Sequence, residues 1–202
     1  DPDVVRVAEE YFRADEYDIN TYVQGGRQFL QETDNTYDLV VLDAYKRDKV
    51  PFQLTTAEFM DLVTQRLSPE GMAVANIISS PSGPASQFYR AEYKTMNASF
   101  GQVYAFPTSD AGAIQNIELV ATKDGEEITQ QQLRERNQNR DIGIDLADTI
   151  GGYTTDVPTD DVPVLRDDRA PVDRLLDPMV GQRYVIEETG AGSETNSTTE
   201  PV

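Results

Sequence analysis

The chain contains no cysteine and no histidine. A disulfide scaffold is therefore excluded, as are zinc sites built on thiolate or imidazole and Ser-His-Asp or Cys-His catalysis within these 202 residues. Any catalysis must rest on carboxylates, tyrosines, backbone groups or a bound cofactor. Basic residues are scarce: 17 Lys and Arg face 36 Asp and Glu, for a net charge of -19 and a pI near 4.2. Nucleic-acid binding needs clustered cations against phosphates, so nucleic acid is not an expected partner. No apolar run approaches the roughly 20 residues that span a bilayer, and no signal-like segment opens the chain. A chain that starts at Asp1 reads as a piece of a longer protein, with room upstream for a targeting or membrane region.

The acidity has two readings. One is a surface that attracts cationic substrates; the other is adaptation to high salt, where acidic groups stay solvated and their repulsion is screened. Only four lysines occur (Lys46, Lys49, Lys94 and Lys123), and the acids are spread along the whole chain. The even spread favours salt adaptation, so the acidity is not taken as a substrate clue.

Hydrophobic residues make up 38% of the chain, with a mean hydropathy of -0.53, which suits one domain with a tail. Pro2 sits at a helix N1 position, and Val4, Ala8 and Phe12 follow at helical spacing. Residues 19–23 read as a short strand, broken by Gly25-Gly26, which open a helix carrying Phe29 and Leu30. The run YDLVVL at 37–42 has the continuous apolar character of a strand buried on both faces. Thr55 or Thr56 caps the next helix, with Glu58 near the capping-box position. Pro69-Glu70-Gly71 turns into a second buried strand at 72–78. A helix at 83–100 follows, with Phe88, Tyr89, Met96 and Phe100 inward, and strands at 103–106 and 117–121 pair as a hairpin.

This alternation predicts an α/β fold: a doubly wound, mostly parallel sheet with a terminal antiparallel strand pair. Residues 1–125 form its body. Residues 126–187 are an extension with helices at 129–140 and 143–150, a loop at 151–165 and an apolar segment at 171–179 that docks back. Residues 188–202, almost without apolar content, are expected to be disordered.

In such a sheet, ligands bind beyond the strand C-termini. Three segments reach that edge: Asp1-Pro2, Gln24-Gly25-Gly26-Arg27 and Asp43-Ala44-Tyr45. Asp43 ends a buried strand, and from position alone two readings stand: a carboxylate aimed at a substrate, or an Asp bonding its own loop. Gly25-Gly26 either admit a ligand close to the backbone or simply make a tight turn.

The ordered series DPDVVRVAEEYF, GGRQFL, TYDLVVLDAY, VPFQLTTAEF and LSPEGMAVANI, with VLRDDRAPVDRLL near the end, resembles the spermidine-synthase-like family, aminopropyltransferases with a Rossmann-like methyltransferase fold. The likeness covers about residues 1–122 and 164–175, as the C-terminal part of the nucleoside-binding domain, and implies a cytoplasmic protein. It also implies S-adenosylmethionine or its decarboxylated form as donor, a polyamine as acceptor, no metal, and a homodimer as one assembly. It assigns Asp43 as proton acceptor, Tyr45 to the substrate, and Asp1, Gly25, Gly26, Pro51 and Leu54 to the nucleoside, with Asp1 in a ribose-binding motif. Two positions depart from the pattern. Gly25 stands where the family has an adenine-contacting Asp, and Lys46 stands where it has a second acid for the polyamine. A lysine there repels an ammonium group, unless it points to solvent with Arg47 and pairs with Asp48 or Glu58. Three activities follow: aminopropyl transfer, methyl transfer on the same fold, or a non-catalytic domain of a larger membrane-associated protein.

The charge pattern makes one prediction independent of activity. Acidic groups that repel in dilute buffer are screened in molar KCl, so the melting temperature should rise with salt. A flat or falling melting temperature would remove the salt-adaptation reading.

Overall fold

The computed structural model of the chain describes residues 1–45, 50–109, 112–125, 127–140 and 143–181. Four strands, β1 (Tyr37–Leu42), β2 (Leu67–Ser79), β3 (Gln102–Pro107) and β4 (Gln115–Thr122), form one sheet in the order β1-β2-β4-β3. β1 and β2 are parallel, with Leu39 opposite Met72 and Leu42 opposite Ala75. β4 runs antiparallel to both β2 and β3. The expected parallel pair and terminal hairpin are thus both present.

Side chains alternate across a strand, and the two faces of this sheet differ. Ala73, Ala75 and Ile77 of β2 and Ile117, Leu119 and Ala121 of β4 point to one face and are fully buried. The helices α2 (Gly26–Glu32), α3 (Ala57–Arg66) and α4 (Gln87–Ser99) supply that core with Leu30, Phe59, Met60, Val63, Phe88 and Met96. The alanines leave room for α3 and α4 to come close to the sheet. Thr56 caps α3, its hydroxyl accepting from the Phe59 N–H at 3.3 Å. Glu58 does not close a capping box: its carboxylate accepts from the Asp167 N–H at 3.0 Å. On the second face, α5 (Gln130–Arg140) and α6 (Ala147–Gly152) cover the β3–β4 side, where Leu133 and Ile150 meet Tyr104, Phe106 and Val120 around a cleft of about 350 Å³.

Three expectations need correction. Residues 19–23 form no strand: Ile19, Tyr22 and Val23 are 61%, 59% and 53% exposed. An extended segment becomes a strand only when a neighbour satisfies its N–H and C=O groups, and this one is joined to no ladder. β1 is not buried on both faces, because Leu39 and Val41 are 52% and 57% exposed on the side the helices leave open. β2 starts at Leu67 rather than at 72, the irregularity at 68–71 being absorbed by a register shift against β1. The helix α1 (Pro2–Phe12) has the expected apolar stripe, yet buries none of it.

The returning chain packs on the body from Leu165 onward, ahead of the 171–179 segment expected to do so. Leu165 is fully buried, its N–H donates to Thr95 Oγ1 at 2.9 Å and its carbonyl accepts from the Ala57 N–H at 2.8 Å. Helix α7 (Val172–Leu176) adds Val172, Leu175 and Leu176 to the core. Between them, Arg27 forms a two-pronged pair with Asp167 at 2.7 and 2.6 Å, and the Thr56 hydroxyl donates to the same carboxylate at 2.6 Å. One carboxylate thereby ties the start of α2, the cap of α3 and the returning chain. The tail from 188 lies outside the described residues.

Arg27 first and Thr56 second hold the Asp167 carboxyl below its usual range. A depressed folded-state pKa gives stability that is present above the unfolded value and lost as pH falls through the folded one. Arg27→Met should cost roughly 1 kcal/mol near neutrality, discounted for partial exposure. The gap between the two urea midpoints should then close below about pH 4. A gap that does not change with pH would mean that the pair contributes no electrostatic stability.

Candidate functional site

β1 delivers Asp43 to the C-terminal edge of the sheet, where the polypeptide leaves the ladder and the carboxylate is exposed. The register continues past the strand end: Asn76 Nδ2 of β2 donates to Asp43 Oδ1 at 3.1 Å, and Asn76 lies directly opposite Glu118 of β4. By alternation, all three belong to the face that α2, α3 and α4 leave open. Asp43, Asn76 and Glu118 therefore make a polar row across three adjacent strands. Burial, with the charge of Asp43 adding to it, holds the Glu118 carboxyl above its usual range. Asn76 Oδ1 is buried and has no hydrogen-bond partner among the described residues.

Beside the row runs a groove between the start of α2 and the turn at Phe52–Leu54. One part, about 530 Å³, is lined by Gly25, Gly26, Arg27, Pro51, Gln53 and Leu54. An adjoining part, about 450 Å³, includes Asp43, Ala44, Phe29 and Phe59. Gly26 and Leu54 border both parts. The structure thus brings together Asp43, Gly25, Gly26, Pro51 and Leu54. A Cβ on Gly25 or Gly26 would meet nothing within 4 Å, so the groove has free space at both glycines. Arg27 also crosses this wall, donating to the Gln53 carbonyl at 3.2 Å.

Asp1 and Tyr45 stand apart from that groove. The Asp1 carboxylate caps α1, accepting from the Asp3 N–H at 2.9 Å. Tyr45 turns inward and is 7% exposed, with its hydroxyl 2.9 Å from the Leu54 carbonyl oxygen and 3.2 Å from Glu92 Oε1. Lys46, Arg47 and Asp48 lie outside the described residues. Among the described residues no cluster of acids is arranged to hold a metal ion, and no helix is long and apolar enough to cross a membrane.

Glu118, Asn76 and Glu92 escaped the sequence reading. For Glu118 a signal existed, since IELVA alternates and places a charge among apolar neighbours, but only the strand register shows that it faces Asp43. Glu92 sits in a helix whose surroundings bury it on every side, which spacing alone does not reveal.

Comparison with known proteins agrees with the motif order. No family model matches the chain. A probable polyamine aminopropyl transferase of Bifidobacterium longum (strain NCC 2705) is 29% identical over 215 residues, covering 95% of this chain and 48% of that protein. The chain spans about half the length of the curated relatives it matches. A probable spermidine synthase from Corynebacterium glutamicum superposes with a TM-score of 0.56 at 17% identity, covering 96% of this chain and 63% of the other. Human methyltransferase-like protein 13, solved in complex with SAH, gives 0.55 at 18% identity over 68% and 65% of the two chains. These two structures share the fold, the Rossmann-like methyltransferase fold.

The polar row is testable without a substrate. Asp43→Asn removes the neighbouring charge but not the burial, so the Glu118 pKa should fall part of the way towards the ordinary carboxylate value. Carboxyl-carbon NMR titration of both proteins reads this directly. An unchanged Glu118 would show that the two carboxylates share no field.

Proposed function

We propose that this chain, spermidine-synthase-like in its motif order and in its fold, belongs to an enzyme that transfers an aminopropyl group from decarboxylated S-adenosylmethionine to an amine acceptor in polyamine biosynthesis. The observation that carries this reading is the Asp43 carboxylate at the C-terminal end of a parallel strand, beside a groove walled by Gly25, Gly26, Pro51 and Leu54. The open groove suits a nucleoside, and the exposed carboxylate suits an amine. On this reading the acceptor nitrogen attacks the carbon next to the sulfonium, and a C–N bond forms. The C–S bond breaks with its electron pair going to sulfur, which leaves the neutral thioether methylthioadenosine. The proton shed by the nitrogen passes to Asp43. Holding amine and donor in line supplies most of the rate gain, and the positioned base adds to it.

Glu118 answers the loss of the second acid at Lys46. It stands on the same sheet face as Asp43, where a second carboxylate attracts an ammonium group. Asp1 as a ribose ligand belongs to the same reading, as does a cytoplasmic location; Tyr45, turned inward, supports the groove wall through Leu54 instead of touching the substrate.

The test is transfer rate against putrescine concentration in the full-length protein. Asp43→Asn should lower the rate by about 100-fold or more, as loss of a general base does, while methylthioadenosine binding changes little. Lys46→Asp should improve apparent acceptor affinity several-fold, the effect of about 1 kcal/mol. If neither wild type nor Lys46→Asp turns over, the aminopropyltransferase reading fails. Full activity in Asp43→Asn would make Asp43 a turn residue.

A further inference from the structure

Glu92 is fully buried in the middle of α4, and its buried Oε2 has no hydrogen-bond partner among the described residues. Among the described residues its hydrogen-bond partner is Tyr45, whose hydroxyl oxygen lies 3.2 Å from Glu92 Oε1 and 2.9 Å from the Leu54 carbonyl oxygen. A phenol has one hydrogen, and here it faces two acceptors. If Glu92 were ionised, either the Leu54 carbonyl or the carboxylate would lose the Tyr45 proton, and a negative charge would sit unpaired in the core. If Glu92 carries the proton, its Oε1–H donates to Tyr45 Oη, the Tyr45 O–H donates to Leu54, and only one neutral carbonyl oxygen is left unsatisfied. The chain of donors then runs in one direction and uses each hydrogen once.

We infer that Glu92 is a neutral, proton-donating anchor that holds Tyr45 and Leu54, and through them the wall of the groove beside Asp43, in place. It is a positioning residue, acting through Tyr45. The geometry explains why Tyr45, two residues past Asp43, turns inward: its ring also stacks edge-on against Phe88, one turn before Glu92, at 6.2 Å between centroids and 79°. Leu54 borders both parts of the groove, so a shift of its carbonyl moves the wall. Burial drives the Glu92 carboxyl well above the usual carboxylate range, although the Tyr45 hydrogen bond alone acts in the other direction.

Among the described residues, charged groups on the elements packed against α4 do not relieve this. Glu58, Asp61 and Arg66 on α3, Glu118 on β4, and Asp173 and Arg174 on α7 do not pair with it. On α4 itself, Arg90 is engaged by Asp161, and Lys94 donates to the carbonyls of Thr159 and Val162 at 2.8 and 2.9 Å. Among the described residues Tyr45 is the titratable group that faces Glu92, and burial raises the Tyr45 pKa well above the usual value too.

The folded-state pKa of Glu92 is raised, so the tie contributes stability that is complete below the ordinary carboxylate range and is lost as pH rises through the raised value. Glu92→Gln does not titrate, and its amide N–H can donate to Tyr45 Oη in place of the acid. The melting temperature of Glu92→Gln minus that of wild type should therefore grow from about pH 5 to about pH 9. Over the same range, exchange of the Leu54 and Thr55 amides, which donate to the Pro51 and Phe52 carbonyls, should speed up relative to Glu92→Gln. Glu92→Leu should exchange them faster at every pH, and Tyr45→Phe does the same job if Glu92→Leu fails to fold. A melting difference that is constant with pH, or exchange that is alike in wild type and Glu92→Gln throughout, overturns the anchor.

The role of the anchor in binding rests on the donor-site reading above. It is measured with methylthioadenosine, a neutral probe that does not titrate in this range. Wild-type affinity should fall by about tenfold towards alkaline pH, as for one lost buried hydrogen bond, while Glu92→Gln holds its affinity. If wild type binds none at any pH, the donor-site reading fails, and the melts and exchange still decide the anchor.

Discussion

The register of β2 between its two neighbours is the constraint on which this structure rests. β2 runs parallel to β1 and antiparallel to β4, so both of its hydrogen-bonding edges are occupied. A strand alternates with a period of two, so a slip of one residue would exchange its faces entirely. The slip would turn Ala73, Ala75 and Ile77 away from α3 and α4, and would put Asn76 into the apolar layer. The burial of three small or branched side chains on one face therefore fixes the polar row on the other. Asp43, Asn76 and Glu118 meet because the core on the far side of the sheet leaves them no other register.

A chain of net charge -19 has few cations to spend, and the structure places several of them where distant segments cross. Arg27 joins α2 to Asp167 across 140 residues of sequence. Arg90 reaches Asp161 and the Pro158 carbonyl, and Lys94 takes two carbonyls of the same returning loop. Lys123 donates to the Leu67 carbonyl at 2.7 Å, where β4 ends beside the start of β2. These contacts hold the 154–176 stretch along α4 and leave the surface acids largely uncompensated. Arg27, Arg90, Lys94 and Lys123 thus serve the closure of the fold.

How much of this was legible in the sequence depended on whether the signal was local. The β1–β2 parallel pair, the β3–β4 hairpin and the inward face of α4 follow from run length, turn residues and 3.6-residue spacing. The groove residues Gly25, Gly26, Pro51 and Leu54 were legible through motif order. What failed was whatever depended on a partner surface. Residues 19–23 have strand composition and no ladder to join; Leu39 and Val41 have the composition of a buried strand, and one sheet face is left uncovered over them. Glu118 and Glu92 were invisible for a related reason, because a charged residue in an alternating strand or a helix normally faces water, and only the packing shows otherwise.

Three carboxylates around this edge of the sheet show how the fold assigns different states to one functional group. Asp43 is exposed, and the Asn76 amide donates to its carboxylate. Glu118 is half covered and feels Asp43, so its charge is already disfavoured before any ligand arrives. Glu92 is enclosed, and its neutral form is the one that completes a hydrogen-bond chain to the groove wall. Accepting a proton and donating a permanent hydrogen bond are incompatible demands on one acid. On the readings proposed above they fall on different residues, Asp43 at the end of β1 and Glu92 in α4, with Tyr45 as the link between them. The chemistry proposed for Asp43 therefore needs the acid behind it to stay protonated, since the same few residues both follow Asp43 in the chain and carry the contact to Glu92.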